Sequence, residues 1–312
     1  MIARRGFLGL ALAGLAAPPV QAGVATGRIE LVPAVTSRFV DARKVSVWLP
    51  PTYDGRTPHA VLYMHYGQNL FDSKVAPFGE WGVDEGLGDL IARGVVPPTM
   101  VVGVWNTAKR SREYAPEDLV ARLEPSAAAR ARARLDGPLA SDAYLQFLVG
   151  ELKPLIDARY RTRPEREATV IMGSSMGGLI SLYAGMKHPE IFGRVGCLST
   201  HWPLLLADKA SLLDPAWFNP VSQAIRSFLE AGAPAAGPTA PRWWFDWGTE
   251  GLDAAYAPYQ AVADAVFAAK GYVQGRDILT RGFPGAAHDE PSWRARLALP
   301  LQFLLAPTAG SV

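Results

Sequence analysis

Thr169-Val170-Ile171-Met172-Gly173-Ser174-Ser175-Met176-Gly177-Gly178-Leu179-Ile180-Ser181-Leu182-Tyr183-Ala184 reads as a strand, a tight turn and a helix in direct succession. Thr169 to Met172 is a short apolar run without polar alternation, the pattern of a strand covered on both faces. From Gly178 onward the residues read as helix. Between them lies Gly173-Ser174-Ser175-Met176-Gly177, a G-x-S-x-G pattern in the strand-to-helix context that defines a nucleophile elbow. Such a turn forces its serine into a strained backbone conformation, so small residues are needed at Gly173 and Gly177, where strand and helix crowd together. Ser175 is left protruding, while Ser174 points elsewhere.

Working outward, Val61-Leu62-Tyr63-Met64, Met100 to Val104 and Val195 to Leu198 are further continuous apolar runs, and helix-like stretches at 83–93, 144–156 and 178–187 separate them. Lys44 to Leu49 instead alternates, as a half-buried strand does, before Pro50-Pro51. Strands alternating with helices predict an α/β fold, a mostly parallel central sheet with helices on both faces. Two stretches exceed a minimal alternation, 107–142 and 203–242, and both are candidate lids bordering the site. The chain otherwise reads as one catalytic domain over residues 23–312.

A serine hydroxyl needs a base, and in this fold the chain order is serine, acid, histidine. Of the histidines after Ser175, His188 stands at a helix end and His201 directly follows a strand, so it reaches the pocket rim as a substrate contact. His288, in the small-residue loop Pro284 to Asp289, occupies the place of the base. The acid should follow the strand Trp243 to Trp247, where both Glu250 and Asp253 qualify, and Asp246 within the strand reads as structural. Two backbone N–H groups must hold the oxyanion. Met176 supplies one, and Gln68, in His65-Tyr66-Gly67-Gln68-Asn69, is the expected second donor. Trp105 and Asn106, Arg112 and Glu113 follow the fourth strand at its carboxyl end, where open α/β sheets place their ligand crevice.

The first residues place Arg4 and Arg5 before the apolar run Phe7–Ala17 and the small-residue end Val20-Gln21-Ala22. This predicts a signal peptide over 1–22, of twin-arginine type, and an exported, periplasmic or secreted protein with no stable membrane insertion after cleavage. Removing it takes two arginines from 31 basic residues and leaves 29 against 29 acidic ones. No basic excess remains for nucleic acid, and Arg130, Arg132 and Arg134 read as a solvated helix face. Cys197 is the single cysteine, so no internal disulfide forms. It reads as a small buried hydrophobe. Scattered histidines with no HExxH predict no metal site, and no cofactor is implied.

Several segments together resemble the esterase family of α/β-hydrolases that includes enterochelin esterase-like enzymes, feruloyl and acetylxylan esterases, esterase D and mycolyltransferases. They are Val47-Trp48-Leu49-Pro50 with Tyr53, Tyr63 to Asp72, Trp81 to Glu85, the serine elbow, and Gly285-Ala286-Ala287-His288-Asp289-Glu290 with Trp293. The resemblance covers most of the chain after the signal. It implies the α/β-hydrolase fold, a triad of Ser175, His288 and an acid in the loop after the seventh strand, and a small-molecule ester as substrate. Relatives keep the segment Leu252-Asp253-Ala254 with Tyr256, Pro258, Tyr259 and Gln260, which favours Asp253 over Glu250. Relatives carry Asp where this chain has Tyr66, which bears on substrate preference. Substrates so implied are acylated carbohydrates, siderophore esters and other small esters, with Trp105 and Trp202 hinting at a sugar or aromatic ring. An acyltransferase would use the same triad, and a noncatalytic binding homologue would need the triad broken.

Overall fold

The computed structural model describes residues 27–306 apart from 77, 134 and 136. The expected signal peptide and Arg134 therefore lie outside the described residues. Eight strands form one sheet: β1 (Arg28–Val35), β2 (Arg43–Leu49), β3 (Ala60–His65), β4 (Thr99–Val104), β5 (Thr169–Ser174), β6 (Arg194–Leu198), β7 (Arg242–Gly248) and β8 (Ile278–Phe283). Their spatial order is β1-β2-β4-β3-β5-β6-β7-β8. β2 runs antiparallel to β1 and β4, and the strands from β4 through β8 are mutually parallel. The mostly parallel α/β architecture expected from the sequence is the one observed.

The unbroken apolar runs follow from burial on two sides. In β3, Val61 and Tyr63 face one core while Leu62 and Met64 face the other, and in β5 Ile171 opposes Val170 and Met172 in the same way. The larger core lies under helices Met176–Lys187, Pro215–Gly232 and Tyr256–Ala269, and the smaller under Val83–Ala92 and Ala298–Leu305. β1 has no such run because it is an edge strand, with Ile29 and Leu31 exposed.

The helical stretch expected at 144–156 spans Ser141–Arg159 and changes pitch inside, with a wider π turn over Leu148–Leu152. Pro154 follows directly and has no N–H for the regular ladder. Both long excursions contribute to the core. Tyr114, Leu119 and Val120 are buried in it, as are Trp217, Val221, Ile225 and Phe228 on one face of helix Pro215–Gly232. Asp214 caps that helix through the Ala216 amide (2.8 Å), with Pro215 at its first position. Arg130 is not simply solvated, since its guanidinium lies 4.8 Å from the Trp217 ring centroid. Cys197 is fully buried, and burial pushes its thiol well above the ordinary value. Among the described residues no helix is long and apolar enough to cross a membrane.

Candidate active site

The carboxyl ends of the parallel strands carry the site. Where β5 ends, Ser175 has φ 54° and ψ −126°, and the helix Met176–Lys187 begins at the next residue. A non-glycine residue at positive φ costs on the order of 1–3 kcal/mol, a strain typical of functional turns. The glycines explain how the turn closes. A Cβ on Gly173 would lie 2.7 Å from the Gly177 backbone, and one on Gly177 would lie 2.8 Å from the Tyr66 ring. The Ser175 amide is tied to the Leu198 carbonyl at 2.9 Å. Met176 opens the helix, so its N–H has no partner within the helix and faces the helix's positive end.

His288 sits on the loop after β8, with its Nδ1 2.6 Å from Asp253 Oδ1. Asp253 lies in the 3₁₀ turn Gly251–Ala255 after β7 and is fully buried. Its second oxygen, Oδ2, accepts from the Ser199 hydroxyl (2.5 Å) and the Gly248 amide (2.7 Å). Burial pushes this carboxyl up, but the hydrogen bond and charge of His288, with Ser199 and Gly248, outweigh it and hold it below 3.8. A deprotonated carboxylate only accepts, so the shared proton belongs on His288 Nδ1 and Nε2 keeps a free lone pair. The imidazole is held edge-on between the rings of Tyr256 (5.6 Å) and Trp293 (5.1 Å).

Behind Asp253 lies a buried polar network. Ser199 Oγ also accepts from Trp293 Nε1 (3.0 Å) and Arg296 (2.8 Å), and Arg296 pairs with Asp246 at 2.9 Å. Burial raises the Asp246 carboxyl even against its ion pair with Arg296. Asp246 is thus structural, as its place in the strand implies. Ser199 and Arg296 escaped sequence reading because their role exists only through contacts distant in the chain. Glu250, the alternative acid, is exposed, and its backbone amide binds the Ala286 carbonyl.

Opposite the serine, Tyr66 adopts φ 60° and starts the 3₁₀ turn Gly67–Asn69. Gly67 lets this loop lie on β4, since a Cβ there would come 2.4 Å from the Gly103 backbone. Burial pushes the Tyr66 phenol up to about 12, with the Arg110 charge pulling the other way. The Arg110 guanidinium lies 5.6 Å from its ring centroid. Gln68 and Asn106 pair through their side-chain amides, and the Asn106 amide reaches Gln68 Oε1 at 3.4 Å. Asn69 Nδ2 donates to Glu290 Oε1 at 2.8 Å, and burial raises the Glu290 carboxyl.

These groups surround a cleft of about 550 Å³ lined by Tyr66, Gln68, Asn69, Asn106, Arg110, Ser175, His288, Glu290 and Trp293 among others. A second hollow of about 240 Å³ adjoins it and is also lined by Tyr66, Arg110 and Ser175. His201 lines this smaller one, buried and bonded through Nδ1 to the Tyr256 hydroxyl (2.6 Å). Burial, then the nearby His288, lowers its imidazole to about 3.

Four expected substrate contacts are not among the residues lining the two hollows. Trp105 packs back onto β2, donating to Ser46 Oγ (2.8 Å) under the Lys44 ammonium. Glu113 is buried in a bidentate ion pair with Arg43. The Arg112 guanidinium lies against Gly137, where an added Cβ would come 2.6 Å from its Nη1, and its carbonyl accepts from the Ala140 amide (2.9 Å). Trp202 is buried, stacked on Phe245 and bonded to Gln260. Being on a strand's carboxyl side does not decide which face of the next helical turn meets the cleft, and here the turn turns Arg110 inward instead. Asn69 and Glu290 were visible only as parts of longer motifs.

The family model described as "Putative esterase" matches residues 36–304. The chain belongs to that family. The chain is similar to "Uncharacterized protein YbbA" of Bacillus subtilis, 27% identical over 164 residues. That match covers 51% of this chain and 58% of the relative, so the aligned part spans little more than half of its length. Among solved structures, the chain is similar to an IroE-like serine hydrolase from Shewanella oneidensis (17% identity, TM-score 0.61, 89% of this chain and 80% of the other). A ferulic acid esterase from Anaeromyces mucronatus gives 20% identity and TM-score 0.60, covering 90% and 92%. The enterobactin esterase of Shigella flexneri gives 19% and 0.63, covering 90% of this chain and 60% of that one. At these identities the likeness is one of fold.

Proposed function

We propose that this chain is a serine carboxylic-ester hydrolase working through an acyl-enzyme on Ser175. One observation carries the reading: the strained Ser175 and a His288 oriented by Asp253 line the same cleft. His288 Nε2 takes the hydroxyl proton as Ser175 Oγ attacks the ester carbonyl, and Asp253 stabilises the imidazolium. The N–H of Met176, with that of Gln68 across the cleft, holds the oxyanion. His288 returns the proton to the departing alcohol, and water on the same side, activated by the same base, releases the acid.

The substrate is a small ester whose groups fit the polar cleft, with acylated carbohydrates and siderophore esters as the classes to test. Tyr66, Asn106 and His201 are the proposed substrate contacts retained from sequence, and Arg110 joins them. No cofactor takes part in this scheme. Hydrolysis of p-nitrophenyl, feruloyl and acetyl-sugar esters by the purified protein tests the reading, and inactivity on all of them would refute it.

The twin-arginine pattern at Arg4-Arg5 supports export with cleavage near Gly23. Mass spectrometry of the exported protein checks this, and an intact Met1 terminus would contradict it.

A further inference from the structure

Ser175 lines two adjoining hollows, and only the larger of them is also lined by His288. We infer that the smaller hollow receives the acyl group and the larger one the alcohol. The preferred substrate is then an aliphatic carboxylic ester of a polar, hydroxyl-rich alcohol. This rests on the esterase reading above and adds the substrate class.

The assignment follows from where the proton must go. When the tetrahedral intermediate collapses, the bond from the carbonyl carbon to the alcohol oxygen breaks and the proton on His288 Nε2 passes to that oxygen. The leaving alcohol therefore lies beside the imidazole. The acyl carbon stays bonded to Ser175 Oγ, and its chain extends to the side His288 does not line. Water then takes the alcohol's place and gives a proton to Nε2 while its oxygen bonds to the carbonyl carbon. The bond to Ser175 Oγ breaks, and Oγ recovers the proton.

The two linings fit these roles. Leu135, Leu204 and Leu206, with Met176, give the smaller hollow an aliphatic wall, and Tyr66, Arg110, Ser111 and His201 complete its lining around Ser175. Leu204 is buried there at φ 55°, a left-handed conformation costly for a leucine, and Leu206 is 66% exposed at the rim. The strain at Leu204 is what a segment held in place to shape a ligand pocket shows. On the alcohol side, Gln68, Asn69, Asn106 and Glu290 offer donors and acceptors.

The test is kcat/KM across p-nitrophenyl esters from acetate to decanoate. In the wild type it rises about fourfold per methylene, the equivalent of about 0.8 kcal/mol per buried CH₂, until the hollow is full, and then falls. Leu204→Gly, in a residue free to adopt φ 55°, shifts the optimum to longer chains. Leu206→Trp, at an exposed position, shifts it to shorter ones. Opposite shifts from two neighbouring positions do not arise from impaired folding. In a second arm, a hexanoyl ester of glucose is preferred over ethyl hexanoate, and Asn106→Ala lowers that ratio without moving the acyl optimum. A flat acyl profile, or Leu204→Gly and Leu206→Trp profiles that move together or not at all, overturns the assignment while leaving the esterase reading intact. An acyl optimum that follows Asn106→Ala does the same. Absence of hydrolysis of every ester overturns both.

Discussion

His288 Nδ1 and Asp253 Oδ1 lie 2.6 Å apart, on loops that follow different strands, with the carboxylate fully buried. Burial makes this contact matter, because an amide in place of the carboxylate both removes the compensating charge and favours the wrong imidazole tautomer. Asp253→Asn should keep the fold and lower kcat by roughly ten-thousandfold, the scale known for neutralising a triad acid in a serine protease. Glu250→Gln, at an exposed position, should leave kcat within about twofold, in line with a surface change away from such contacts. Steady-state kinetics and circular dichroism on the two variants check this, and the reverse pattern would make Glu250 the acid.

Glu113 gives a contrasting case. Its carboxylate accepts from Arg43 Nη2 at 2.8 Å and from Nη1 at 3.0 Å, with both side chains buried. Breaking such a pair strands a buried guanidinium and costs about 3–5 kcal/mol. Glu113→Gln should therefore lower the melting temperature and the urea midpoint while leaving KM unchanged in the fraction that folds. A raised KM at unchanged stability would return Glu113 to the substrate pocket.

How much of this was legible beforehand depends on distance along the chain. The elbow, the continuous apolar strands and the loop bearing His288 are local patterns, and each stands in the fold where its pattern puts it. Helix Pro215–Gly232 was hidden, although Trp217, Val221, Ile225 and Phe228 keep helical spacing. Pro220 inside it and the Ala/Gly/Pro-rich segment after it both read as breaks. β1 was hidden because an edge strand lacks the two-sided apolar run. The Ser199–Arg296–Asp246 network could not be read at all, since its members come from separate strand ends and a helix near the carboxyl terminus. Trp105, Arg112, Glu113 and Trp202 lie in the right neighbourhood but do not line the cleft, a matter of rotation that spacing in a short loop does not encode.

Acid sensitivity follows from two buried imidazoles. Burial lowers His65 and His201 to about 3, against 6.5 in an unfolded chain. Between these values the unfolded state binds more protons, so the stability they contribute is complete above pH 6.5 and is lost as pH falls toward 3. Asp253, whose carboxyl is held below 3.8, adds its own loss only below that pH. Asp84, whose carboxyl burial raises to about 6, works in the opposite direction over the same range, so the contribution of His201 is read as the difference in melting temperature between the wild type and His201→Gln, which should shrink from pH 6.5 to 4.5. A difference that stays constant over that range would contradict this.

Acylation of Ser175 is read by mass spectrometry of the protein quenched during turnover of a slowly deacylated p-nitrophenyl ester. A mass increase equal to one acyl group is expected, located on the tryptic peptide containing Ser175 and absent from Ser175→Ala, which also loses hydrolysis. Undiminished hydrolysis by Ser175→Ala, or an acyl group on a different residue, would contradict it.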